Sequence, residues 1–141
     1  MSTLVTQTGT TKSEARDSLG IQDGPRVLPL CSYATAGDIL TVVGRLRLDP
    51  SLYAISGRTL TLTLEVMGDV SDGALTGTVT LYNLTAGSTA ATITVTSTSP
   101  GNTQTASVTV PGGATSYELR GIVAGGDGYL TLGAVLRLTW S

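Results

Sequence analysis

The sequence predicts an all-β fold, and an eight-stranded antiparallel sandwich of the jelly-roll type fits it best. Two long segments, 59–66 and 130–140, alternate apolar and polar residues with a period of two. That period places successive side chains on opposite faces of a sheet. Turn residues divide the remainder of 26–141 into short segments at intervals of about 8–15 residues, a spacing typical of sandwiches and barrels. An immunoglobulin-like sandwich is the alternative fold.

Eight candidate strands follow one another in this region, separated by clusters of Gly, Pro, Asp and Asn. They are Arg26–Ser32, Asp38–Leu48, Arg58–Met67, Gly77–Leu84, Ala91–Ser97, Thr103–Val110, Ser116–Ala124 and Tyr129–Trp140. Pro29 is the one proline inside a strand, and it predicts an edge strand or a bulge because proline cannot donate to the ladder. The last segment is too long and regular for an edge, so we place it at the centre of a sheet.

Residues 1–25 are expected to form an N-terminal arm, separate from the sandwich domain at 26–141. The first ten residues are polar and rich in Thr. Thr11 and Glu14 then have the spacing of a capping box, and Gly20 suits a left-handed helix stop. These signals predict a short helix over Lys12–Leu19. A helix of that length is not stable alone in water, so it is expected to dock on another surface.

The composition disfavours several classes of function. The chain of 141 residues has a net charge of −2, no His, one Cys and one Lys. A phosphate backbone requires clustered Lys and Arg, so nucleic acid is not an expected partner. The sequence has no run of about 18 apolar residues, so a membrane span is not expected. Its N-terminus does not have charged residues followed by an apolar stretch, so a signal peptide is not expected either. We expect synthesis in a cytoplasm, with assembly carrying the protein to any later location.

The chain also lacks the usual groups for catalysis, and we expect no enzyme, cofactor or metal site. A Ser–His or Cys–His pair cannot be built without His. Asp69, Asp72 and Asp127 lie beside glycines, without the alternating ligand spacing of an EF-hand calcium loop. Asp next to Gly is the common signal of a hairpin turn, which accounts for these residues better than a cation site.

Arg45 and Arg47 stand out among the charged residues because strict alternation puts both on one face of a strand, opposite Leu46. Two interpretations are open. The arginines could be solvated edge residues that deter aggregation of sheets. They could instead be rim contacts to an acidic partner surface, since Arg is enriched at interfaces.

The stretch Ser13-Glu14-Ala15-Arg16-Asp17-Ser18-Leu19-Gly20-Ile21 resembles the A-R-x-x-L-G-L/I segments of tailed-phage fibre and virion proteins. Four of these residues match position by position: Ala15, Arg16, Leu19 and Gly20. The rest of the chain, a small Thr- and Gly-rich β domain with an arm, looks like the capsid decoration (cement) proteins of tailed bacteriophages. That resemblance implies a jelly roll or related sandwich on the outer capsid surface, with the arm reaching adjacent subunits.

The resemblance implies a non-enzymatic virion structural protein that stabilises an icosahedral phage capsid by bridging neighbouring capsid subunits. Its expected partners are the major capsid protein and copies of itself, as a dimer or trimer. The candidate partner-binding residues are Leu4, Val5, Ala15, Arg16, Leu19, Ile21, Arg45 and Arg47. Two alternatives are a phage fibre or spike module that binds a host-surface glycan, and a carbohydrate-binding or adhesive β domain outside any virus.

Overall fold

The computed structural model describes residues 26–141, in which eight strands form two four-stranded antiparallel sheets packed face to face. The strands are β1 (Arg26–Ala36), β2 (Thr41–Leu48), β3 (Leu60–Val70), β4 (Thr76–Asn83), β5 (Ser88–Val95), β6 (Thr103–Val108), β7 (Thr115–Ala124) and β8 (Leu130–Trp140). A short 3₁₀ helix, Pro50–Tyr53, joins β2 to β3. The predicted arm helix at Lys12–Leu19 lies outside the described residues.

The strand order is that of a jelly roll. The first sheet has the order β1-β8-β3-β6 and the second has the order β2-β7-β4-β5. The chain crosses from one sheet to the other at most of its connections, so sequence neighbours such as β1 and β2 lie in different sheets. This confirms the predicted fold class. It also confirms that β8 is central, because β1 and β3 flank it.

The core lies between the two sheets and is filled mainly by aliphatic side chains. On β3 and β8 the apolar positions of the alternation, such as Leu64 and Leu136, are fully buried. Leu81 and Leu119 face them from the second sheet and are also fully buried. Each such leucine contributes roughly 1.5–3 kcal/mol by leaving water. Thr, Arg and Glu occupy the opposite phase of the same strands, so the outer faces carry the polar side chains.

Several strand ends differ from the sequence prediction because sheet pairing outweighs local turn preference. Gly68 and Asp69, predicted as a turn, continue β3 opposite Leu132 and Thr131 of β8. β1 likewise runs on to Ala36, with register shifts after Pro29 and after Cys31. Those irregularities confirm that Pro29 marks a bulged edge strand. Within residues 26–141, no helix is both long and apolar enough to cross a membrane.

The two sheets approach closely along one side, where the edge strands β1 and β2 meet. A Cβ on Gly44 of β2 would collide with the carbonyl oxygen of Leu30 on β1, so only glycine fits this seam. β1 and β2 run in opposite directions along the seam, joined at one end by 37–40. The start of β1 at Arg26 therefore lies at the same end of the sandwich as the close of β2 at Leu48.

Candidate partner-binding face

Arg45 and Arg47 project from the outer face of the second sheet. β2 alternates as the sequence predicts, since Leu46 between them packs toward the core. Arg45 lies opposite Glu118 of β7, and Arg47 lies opposite Ser116. The Arg45 side chain is 72% exposed, so it is available to a partner molecule.

The Glu118 carboxylate binds two guanidinium groups, that of Arg45 on β2 and that of Arg120, which lies two residues further along β7. Both Nε and Nη2 of Arg45 donate to its Oε2 atom, at 3.3 and 3.2 Å. Both Nε and Nη2 of Arg120 donate to Oε1, at 3.1 and 2.8 Å. The hydrogen bonds from Arg120, followed by those from Arg45, lower the pKa of Glu118 although partial burial opposes them. The carboxylate is therefore charged at neutral pH and fixes two guanidinium groups side by side.

The guanidinium of Arg120 also contacts an aromatic ring, that of Tyr82. Its guanidinium carbon lies 3.9 Å from the centroid of the Tyr82 ring, within the range of a cation–π contact. Tyr82 lies on β4, directly opposite Glu118 of β7. We call the set Arg45, Arg47, Glu118, Arg120 and Tyr82 the arginine face.

An exposed apolar patch adjoins the arginine face at the other end of β2. Ile39, Leu40 and Val42 are 76%, 53% and 42% exposed. Val42 lies opposite Arg120 in the β2–β7 ladder, so the patch borders the arginine face. Apolar side chains bordered by arginine are the composition of many protein–protein interfaces. The sheet therefore offers one continuous surface suited to another protein.

A shallow depression lies at the outer end of the arginine face. It has a volume of about 300 Å³. Its lining consists of Arg45, Leu46, Arg47, Leu84, Ser116 and Tyr117. Leu84 is 43% exposed and supplies an apolar wall between polar neighbours. The depression suits a small apolar side chain that is accompanied by an acidic one.

A second surface feature lies on the outer face of the first sheet, where Gly133 of β8 leaves a gap in the row of side chains. Two adjoining hollows of about 250 and 210 Å³ share Gly133 and Met67 in their linings. Tyr33, which is 73% exposed, and Asp69 line one of them. Glu65 lines the other and is paired with Arg137, whose Nη2 lies 2.9 Å from its Oε2.

The structure thus brings two of the predicted partner-binding residues, Arg45 and Arg47, onto one surface. The other six, Leu4, Val5, Ala15, Arg16, Leu19 and Ile21, lie outside the described residues. The predicted site residues did not include Glu118, which the structure places between two arginines. The spacing of Glu118 and Arg120, two apart on one strand face, is the signal that could have identified the pair.

The carboxylates and the Cys31 thiol of the described residues are the groups to consider as metal ligands or reactive side chains. Across 26–141, no group of three or more His, Cys, Asp or Glu side chains is placed to hold a metal ion. Glu65 and Glu118 lie on different sheets, each paired with arginine, so they do not form a carboxylate pair. Burial raises the pKa of the Cys31 thiol, which disfavours the reactive thiolate.

Comparison with known proteins gives structural similarities at low sequence identity. No protein-family model matches the chain. No curated protein matches it in sequence either.

A VP2 subviral particle of infectious bursal disease virus is 19% identical, with a TM-score of 0.48 over 82% of this chain and 32% of that one. Carbohydrate-binding module CBM36, solved with calcium and xylotriose, is 17% identical, with a TM-score of 0.43 over 82% of this chain and 99% of that one. A family two carbohydrate esterase from Cellvibrio japonicus is 14% identical, with a TM-score of 0.34 over 84% of this chain and 34% of that one. The chain spans about a third of the length of the VP2 chain.

Proposed function

We propose that the protein is a non-enzymatic virion structural protein that decorates an icosahedral phage capsid and stabilises it by bridging neighbouring capsid subunits. The observation that carries the proposal is the continuous surface on the second sheet, where the apolar patch of Ile39, Leu40 and Val42 meets the arginine face. Such a surface is built for contact with another protein.

The arginine face is organised before any partner arrives. Glu118 and the Tyr82 ring already hold the Arg120 guanidinium, and Glu118 also holds that of Arg45. Binding an acidic surface therefore costs less side-chain entropy than it would for free arginines. The neighbouring apolar patch adds burial, while the charged groups set orientation and partner choice.

The partners in this proposal are the major capsid protein and further copies of the chain, on the outer surface of the virion. The arm residues Leu4, Val5, Ala15, Arg16, Leu19 and Ile21 add contacts to neighbouring subunits. A capsid repeats the same binding surface many times, so modest individual contacts suffice when several are made together.

Co-sedimentation with capsids assembled without the chain tests the proposal. We expect Arg45→Glu/Arg47→Glu and Leu40→Asp/Val42→Asp each to weaken binding at least about tenfold, or 1.4 kcal/mol. The matched control is Thr92→Glu/Thr94→Glu, which adds charge to exposed positions of β5 in the same sheet. Capsid binding that neither interface variant changes would remove this surface from the proposal, and failure of the wild-type chain to bind capsids would reject the function itself.

One observation favours a second candidate, a fibre or spike adsorption module that binds a host-surface glycan. The exposed Tyr33 ring beside Asp69 on the hollowed face of the first sheet offers an aromatic stacking surface and a hydroxyl acceptor. A glycan array, compared with Tyr33→Ala, tests this candidate. Binding that Tyr33→Ala abolishes, with immunogold label at the tail, would favour it over capsid decoration.

A further inference from the structure

We propose that the free edge of β6 pairs with the same edge of a second copy of the chain, so that the first sheets of two molecules join into one eight-stranded antiparallel sheet. The inference deepens the proposed function, and it rests on that function only for the use of the dimer on a capsid. Three observations carry it: the regularity of β6 as an edge strand, the backbone groups that point outward from it, and the uncharged stretch of sequence in which it lies.

β6 lacks the features that commonly protect the edge of a sheet. The edge strands of residues 26–141 are β1, β2, β5 and β6. Prolines, charges and bulges on such strands discourage pairing with other chains. β1 has Pro29 and two register shifts, β2 has Arg45, Arg47 and one register shift, and β5 has a register shift near its start. β6 contains no proline and no charged residue, and it pairs with β3 in unbroken register. Of these four strands it is therefore the best suited to accept a further strand.

The backbone groups of alternate β6 residues point away from β3. Hydrogen-bonded and non-hydrogen-bonded pairs alternate along an antiparallel ladder. The Gly68 N–H donates to the carbonyl oxygen of Asn102 at 2.9 Å, and these two residues continue the β3–β6 register. Gln104 and Ala106 therefore direct their backbone groups toward β3. The residues that direct theirs outward are Thr103, Thr105 and Ser107. Within residues 26–141, no backbone hydrogen bond uses these outward groups.

Antiparallel pairing centred on Thr105 satisfies all the outward groups at once. In this register Thr105 lies opposite Thr105 of the partner subunit, and Thr103 lies opposite Ser107 of the partner subunit. Each opposed pair exchanges two N–H···O=C bonds, so about six backbone hydrogen bonds form across the joint. The side chains of these residues are exposed, and pairs of Thr and Ser hydroxyls across two strands are favourable.

The sequence around β6 favours a second copy as the occupant of this edge. No Asp, Glu, Lys or Arg occurs between Asp72 and Glu118. A two-fold contact joins the same surface of both molecules, so a charged edge would face its own charge and be repelled. An edge built to recognise a charged partner would instead carry the opposite charge. Because the contact uses each β6 edge once, it closes at two copies, which selects the dimer over the trimer.

The pairing would place both arginine faces on the same side of the dimer. Antiparallel neighbours are related by a two-fold axis perpendicular to the sheet, so each copy keeps the same face on the same side. The joined first sheets then form one layer, and both second sheets lie on its other side. A capsid can bind the two arginine faces together, and the first contact raises the effective concentration of the second. The joint itself is one short strand pair, so the dimer should dissociate reversibly in solution.

Sedimentation equilibrium of the full-length chain tests the inference. We expect a reversible dimer at about 100 μM chain. Thr105→Pro should give a folded monomer, because it removes an N–H that β3 does not use. Thr105→Lys should weaken dimerisation at least about tenfold, because it opposes two like charges. The control is Thr35→Lys, which adds the same charge to an exposed position of β1 at the opposite edge of the sheet and should leave the dimer unchanged.

Circular dichroism checks that Thr105→Pro keeps the fold, and Thr105→Lys tests the edge if it does not. A wild-type chain that stays monomeric at this concentration would overturn the inference. Equal effects of Thr105→Lys and Thr35→Lys on dimerisation would also overturn it.

Spin labels provide the second measurement, because they locate the joint. In a Cys31→Ser background, a nitroxide on Thr105→Cys should show strong dipolar broadening, since the pairing places the two labelled Cβ atoms about 5 Å apart. A nitroxide on Thr35→Cys should show none at the same concentration. A dimer with broadening at Thr35 but not at Thr105 would place the joint elsewhere and contradict the inference. Capsids take no part in either measurement, so this inference and the proposed function can fail independently.

Discussion

Arg120 binds one carboxylate oxygen of Glu118 through two donors, with Nη2 at 2.8 Å and Nε at 3.1 Å from Oε1. Arg45 takes the other oxygen in the same manner. The carboxylate thus accepts four N–H donors and organises the surface from its centre. Because the pKa of Glu118 is lowered in the folded state, its protonation should also change the free energy of unfolding.

Stability should depend on pH through Glu118. Because its folded-state pKa is lowered, its contribution is fully present above the unfolded value of about 4.3 and is lost as pH falls through the folded pKa. We expect Glu118→Gln to be less stable than wild type at pH 7, with the difference shrinking as the pH falls below about 4.3. Urea unfolding across this pH range measures it, with Asp127→Asn in an exposed turn as the control. A difference that stays constant with pH would contradict the prediction.

The seam between β1 and β2 should not tolerate a side chain at position 44. A Cβ there would meet the Leu30 carbonyl oxygen, so we expect Gly44→Ala to cost about 1–3 kcal/mol. Gly37→Ala is the matched control because nothing lies within 4 Å of its Cβ position. Gly37 does not have a positive φ, so alanine can adopt its backbone conformation. That change should therefore be neutral or slightly stabilising. Equal urea midpoints for the two variants would show that the seam opens freely.

The centre of the first sheet should be the most sensitive to loss of volume or gain of charge. Leu138 is fully buried, so we expect Leu138→Ala to destabilise the fold by about 2–5 kcal/mol. Leu138→Asp should cost more because it also buries an unpaired charge. Thr61→Ala, on the exposed phase of β3, should change stability by less than about 0.5 kcal/mol. An unchanged melting temperature for Leu138→Asp would refute the register of β8.

The Trp140 side chain should anchor the segment between β2 and β3 to the end of β8. Its indole Nε1 donates a 2.8 Å hydrogen bond to the carbonyl oxygen of Tyr53. We expect Trp140→Phe to cost about 0.5–1.5 kcal/mol and to increase proteolysis near the 3₁₀ helix. Limited proteolysis with mass spectrometry checks the site of cleavage. Cleavage that moves elsewhere, or does not change, would show that this bond does not hold the connection.

Strand number and facing were predictable because they depend on local alternation. A period of two on β3 and β8 fixes which side chains share a face, whatever the neighbouring strands are. The same argument placed Arg45 and Arg47 together. Strand ends were less predictable: Gly68 and Asp69 favour turns locally, but the pairing with β8 holds them in an extended ladder. Where a strand ends therefore depends on pairing partners that are distant in sequence, and a local pattern does not show them.

The sequence by itself determined an all-β sandwich with Pro29 at an edge strand or a bulge, the last strand at a centre and the two arginines of β2 on one face. Only the tertiary structure decided that Glu118 and Arg120 of β7 and Tyr82 of β4 join Arg45. These residues come from strands that pair across long stretches of chain. It also decided that Gly44 of β2 lies against Leu30 of β1, where the two edge strands meet. The physical reason is the same in both cases. Alternation specifies the face of a strand, whereas which strands become neighbours depends on how the whole set of apolar faces is buried at once.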